Sequence, residues 1–117
     1  MQSIIALPVE EITGWPSFHM VFQRIFGFPD FYGRNMDAWV DCMTSLDAPD
    51  GGLTTVAVSP GEILILRVDQ AFEFRRRCPE QYDALIECCA FVNYRRIEVG
   101  ESPILGLLLV GLPSQER

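Results

Sequence analysis

Three short apolar runs, IIALPV from Ile4, EILILRV from Glu62 and ILGLLLV from Ile104, are spaced along the chain, and each interval between them carries helical patterning. Near-continuous apolar strands belong to parallel sheets, whose strands are covered by helices. Parallel neighbours also need long crossovers, which the helical intervals can supply. The order strand, two helices, strand, two helices, strand predicts an α/β fold: a small three-stranded parallel sheet packed with about four helices.

From Trp15, with Pro16 at a first helical position, Phe18, Val21, Phe22, Ile25 and Phe26 recur at spacings of three and four. This is an amphipathic helix ending near Gly27. Asn35 is a good N-cap for a second helix, in which Met36, Trp39, Met43 and Leu46 form one apolar face. Asp69 can cap a short helix that ends in Arg75, Arg76 and Arg77. Pro79 opens a longer one through Leu85, Ile86, Cys89, Phe91 and Val92, ending near Arg95 and Arg96, cations that suit a helix C-terminus. DAPDGG breaks the chain, and TTVAV, separated from EILILRV by SPG, is expected to add a hairpin strand. IEVGESP, from Ile97, reads as a loop. With no internal repeat or linker, the 117 residues are read as one domain, 1–117.

The net charge is −7, and every fixed positive charge is an Arg, because the chain has no Lys. Such a field repels nucleic acid and steers basic proteins inward. Cys42, Cys78, Cys88 and Cys89 form no C-x-x-C pair and no zinc-like spacing, so they are read as free thiols, with no metal and no cofactor. The start, MQSIIALPVEE, has no basic segment, and the longest apolar run is too short to span a bilayer. The expectation is a cytoplasmic protein without membrane contact, monomeric when free. His19 lies beside the first helix's apolar stripe with no triad around it, and is read as a structural histidine, on the surface or half-buried.

The segment FYGRNMDAWVDCMT, Phe31 to Thr44, raises the functional question. On a helix, Asp37, Asp41 and Thr44 fall within about 60° of one another, opposite Met36, Trp39, Met43 and Leu46. Asp37 is explained by the positive end of the helix dipole. Asp41 is mid-helix, and its like charge four residues from Asp37 costs about 0.2–0.5 kcal/mol. The stripe is a solvated face, an acid–base pair, or a contact for a cationic cleft in another protein. Acid–base work, as in a small hydrolase or lyase using Asp37 and Asp41, needs a pocket to raise one pKa, and a convex helix face flanked by Gly and Thr offers no obvious one.

The run FPDFYGRNMDAWVDCMT from Phe28 to Thr44 resembles the barstar family of intracellular ribonuclease inhibitors, which carry Pro, an aromatic pair, Gly, Asn, Asp, Ala, Asp, Cys and Thr at this spacing. The resemblance implies a barstar-like sheet and helices, no enzymatic activity, and a helix and loop that plug the active site of a basic, barnase-like ribonuclease or related toxin. It implies Asp41 as the main anchor to the catalytic cations and Asp37 as a second ion-pair former. Phe31 becomes an aromatic contact, with Gly33, Asn35, Val40 and Thr44 lining the interface. Phe31 stands where the family usually has Tyr, and Val40 and Arg34 stand where Trp and Glu occur. Those departures leave open a barstar-like module or immunity protein for a partner that is not a ribonuclease. The last helix offers Glu87 as a loose match for a further acidic contact.

Overall fold

The computed structural model describes residues 3–113, so residues 1–2 and 114–117 of the expected 1–117 unit lie outside it. Strand β1 (Ser3–Ala6) pairs with β2 (Leu64–Val68), and β2 with β3 (Leu105–Leu109), both in parallel. The three expected strands thus form one sheet in the order β1-β2-β3. Helices α1 (Trp15–Phe26) and α2 (Met36–Thr44) connect the first pair, and α3 (Ala71–Arg77) and α4 (Pro79–Glu98) the second. No helix among the described residues is long and apolar enough to cross a membrane.

The sheet is packed on one face. In β2, Leu64, Leu66 and Val68 are fully buried, while Ile65 and Arg67 between them are partly exposed. Register puts Ile4 of β1 beside Ile65 and Leu108 of β3 beside Arg67, and these two side chains are 54% and 44% exposed. β1 is therefore an edge strand with an open side, not the buried strand its apolar run implied. Topology supplies the reason. The order β1-β2-β3 steps the same way twice, and two right-handed crossovers in one direction lay both helix pairs on the same face. On the packed side, Phe18, Phe22, Phe26, Trp39, Phe74 and Leu85 join Leu64, Leu66 and Val68 in one core.

The expected hairpin strand is absent, because both edges of β2 are already taken by β1 and β3. TTVAV instead straps two helix ends. The Thr55 N–H donates to the Phe26 carbonyl and the Val58 N–H to the Leu46 carbonyl, each at 2.9 Å. Gly27 permits this crossing: its φ is 66°, and a Cβ there would collide with the Thr55 side chain. Asp69 does not cap α3. Gln70 occupies the cap position in a left-handed conformation, and Asp69 pairs with Arg67 at 3.2 Å.

Helix α4 runs on through Ile97 and Glu98, so only the second part of IEVGESP is loop. The extension follows from how Arg95 and Arg96 are used. Arg96 is 3% exposed and turned inward. Its guanidinium donates to the Thr44 carbonyl at 2.8 Å, to the two Asp47 carboxylate oxygens at 3.0 and 2.7 Å, and to the Ser102 carbonyl at 2.7 Å. One planar cation thereby joins the end of α2 to the loop after α4, and it satisfies a carbonyl that the helix end would leave orphaned. These hydrogen bonds also hold the Asp47 carboxyl below its ordinary value.

Replacing Arg96 by Ala strands a half-buried carboxylate and a helix end, so the expected loss in urea unfolding is about 3–5 kcal/mol. Arg96→Lys should recover only part of it, since an ammonium cannot span both carboxylate oxygens and two carbonyls. An Arg96→Ala loss under about 1 kcal/mol would show that the joint is dispensable. Asp47 also sets an acid limit. Its contribution is present above its ordinary pKa of 3.8 and is lost as pH falls from there through the lowered folded value.

Candidate functional site

Local sequence chemistry fixes the start of α2. The Asn35 side chain accepts the Ala38 N–H at 2.8 Å and donates back to the Gly33 carbonyl at 3.4 Å. Gly33 leaves room for that return, because a Cβ there would lie 3.3 Å from the Asn35 amide nitrogen. Arg34, at φ 53°, makes the turn between loop and helix in a region that non-glycine residues seldom occupy. Trp39 and Met43 are fully buried, which directs Asp37 and Asp41 outward.

The two aspartates differ in their surroundings. Asp37 sits in the first turn of α2, where the helix dipole favours it, and makes no ion pair among the described residues. Asp41 accepts a hydrogen bond from Arg95 Nη1 of α4 at 3.0 Å, with the two side chains 62% and 43% exposed. The cation that a mid-helix carboxylate invites is thus supplied within the chain. Fifty-four residues separate the pair, so no local pattern in the sequence announces it.

Asp41 stands between two shallow grooves. Phe31, Gly33, Ala38 and Leu53 border the first. The second lies between α2 and α4, with Met36, Asp37 and Val40 on one side and Cys88, Phe91 and Arg95 on the other. Phe31 is 79% exposed on the loop before α2, and Phe91 is 50% exposed on α4. Asn35 is exposed at the helix start. Val40, only 4% exposed, is mainly a core residue. The Thr44 hydroxyl donates to the Val40 carbonyl at 2.6 Å and so turns back along the helix. Helix α4 brings Phe91 and Arg95 to the second groove, while exposed Glu87 does not line it.

The cysteines offer no ready nucleophile here. Burial pushes the thiols of Cys42 and Cys89 up to about 11 and about 12, and burial followed by the nearby Glu87 and Asp37 charges raises that of Cys88. Among the described residues, no group of three or more His, Cys, Asp or Glu is placed to hold a metal.

The loop carrying Phe31 is pinned from beneath. His19 is 4% exposed, more deeply buried than its sequence position suggested, and its Nδ1 lies 2.6 Å from the Tyr32 hydroxyl. The Tyr32 N–H donates to the Pro29 carbonyl at 2.9 Å, closing the turn. Burial, with the Arg34 charge second, lowers the His19 pKa, and burial raises that of Tyr32. A neutral ring therefore shares a hydrogen bond with the tyrosine hydroxyl, which ties α1 to the loop.

Below the ordinary histidine value of 6.5 the unfolded chain takes up a proton that folded His19 resists. Stability should therefore fall as pH drops below 6.5, levelling once the folded pKa is passed. Unfolding free energies across that range should show the decline in the wild type and lose it in His19→Gln. A wild-type profile flat in that window would contradict the sign. Tyr32→Phe leaves a buried ring nitrogen without a partner and should cost about 1–3 kcal/mol.

Compared with known families, residues 2–102 match the family model described as Barstar (barnase inhibitor). No curated protein matches the chain.

Proposed function

The chain belongs to the barstar family, and from that premise we propose that it is a protein inhibitor of a basic, barnase-like ribonuclease. It occludes the enzyme's active site and performs no chemistry of its own. The observation that carries this reading is the exposed face formed by Phe31 at 79% exposure together with Asp37 and Asp41 on a helix whose opposite side is locked into the core. An aromatic anchor beside rigidly held carboxylates suits a cleft built to hold the phosphates of RNA. Asp41 is the main anchor, Asp37 the second ion-pair former and Phe31 the aromatic contact. Gly33 and Asn35 shape the approach, and Val40 and Thr44 support the face from within. The protein acts in the cytoplasm as a single unit, monomeric when free.

Arg34 and Arg95 favour keeping a second reading, in which the same face serves a barstar-like immunity protein against a partner that is not a ribonuclease. Both add cations to a face that should otherwise be acidic. Affinity capture from the source cells, with mass spectrometry of what is retained, separates the two readings. Recovery of only non-nuclease partners would favour the second.

The direct test is residual RNA cleavage by a barnase-type ribonuclease titrated with the wild type, Asp41→Ala and Asp37→Ala. Truncating an interface anchor typically costs roughly 2 kcal/mol or more, so Asp41→Ala should weaken inhibition at least about thirtyfold, and Asp37→Ala by less. Inhibition undiminished in both variants would remove the acidic face from the mechanism.

A further inference from the structure

Consecutive residues on α4 both grip α2, yet they do different work. Arg96 is buried and holds the end of α2 with several hydrogen bonds, so the packing of the two helices does not wait on Arg95. An exposed ion pair such as Asp41–Arg95 adds little to stability in its own right. Its consequence is electrostatic. In a chain of net charge −7, the groove beside this pair is lined by two carboxylates, Asp37 and Asp41, and one guanidinium, Arg95. Arg95 offsets one of those two charges, where a simple cation-binding plug would leave both free.

The groove beside the pair is apolar along much of its length. Met36 and Val40 of α2 face Cys88 and Phe91 of α4, with Asp41 and Arg95 also lining it. Its volume, about 220 Å³, suits a protein side chain better than a drug-sized ligand. A cation approaching Asp41 meets Arg95 already there, and must either share the carboxylate with a like charge or drive Arg95 aside.

We propose that Arg95 is a specificity filter for this face: it occupies the carboxylate a partner's cation needs, and so selects a partner that also supplies an acidic group for Arg95 and an apolar side chain for the groove beside Phe91. The filter rests on the inhibitor reading above and refines it. The favoured ribonuclease has a basic cleft with a carboxylate on its rim, and a cleft presenting cations alone is disfavoured. Selection of this kind works through a repulsive element as much as an attractive one.

The test is a four-protein cycle: wild type, Arg95→Gln, Asp41→Ala and the double variant, each titrated calorimetrically at physiological salt with a barnase-type ribonuclease whose cleft-rim carboxylates have been changed to amides, so that the cleft presents cations alone. Arg95→Gln retains most of the stem while removing the charge. It should bind about tenfold more tightly than wild type, and Asp41→Ala should weaken binding more when added to Arg95→Gln than when added to the wild type. Unchanged or weaker binding by Arg95→Gln, with the wild type still inhibiting, overturns the filter and leaves the inhibitor reading intact. If none of the four proteins binds the ribonuclease, with or without its rim carboxylates, the inhibitor reading fails by itself, and the filter is judged by NMR titration with hexa-arginine. Half-saturation of Arg95→Gln at a lower peptide concentration than wild type supports the filter, and equal or later half-saturation overturns it.

Discussion

The buried guanidinium of Arg96 is the constraint on which the candidate surface depends. Helix α2 has nine residues, too few to be stable as an isolated helix, so its position has to come from what it touches. Trp39 and Met43 anchor one side in the core, and Asn35 closes the N-terminal end. The other end would terminate in open carbonyls with the negative pole of the helix dipole beside them. Arg96 meets both needs, since its charge opposes that pole and its nitrogens reach the Thr44 carbonyl and the Asp47 carboxylate together. Rigidity on one side of α2 lets the other side present charge in a fixed arrangement, a prerequisite for recognition at low entropic cost.

Much of this is legible in the sequence where the controlling chemistry is local. The order of strands and helices follows from three apolar runs and the helical spacing between them, and the role of Asn35 follows from cap chemistry. What stays hidden depends on contacts between distant residues. Arg95 and Arg96 read alike as a charged helix end, because a linear string cannot say which neighbouring residue turns inward. Asp41 reads as unpartnered for the same reason. TTVAV has strand-like composition, but a strand needs a free edge, and the central position of β2 removes it. The depth at which His19 lies is equally hidden, because its burial depends on Tyr32, which the loop brings back over α1.

The one-sidedness of the sheet follows the same logic. Apolar runs alone cannot separate a strand buried on both faces from one buried on a single face. Arg67 in β2 and Gly106 in β3, which fall on the open side, are the signals that carry the distinction. They gain meaning only when the strand order is known, because that order places every helix on one side. The family match covers residues 2–102 and so extends well beyond the Phe28–Thr44 motif that first suggested it.

The braces of α2 also impose an order on biosynthesis. Asp41 and Asp47 lie 54 and 49 residues before the arginines that hold them. A nascent chain therefore exposes the whole acidic stripe long before Arg95 and Arg96 have left the ribosome. Until then the segment has its charges without its geometry. A chain interrupted anywhere ahead of α4 would contain every residue of the Phe28–Thr44 motif and still lack the arginines that brace α2, so translation has to pass Arg96 before those braces can form.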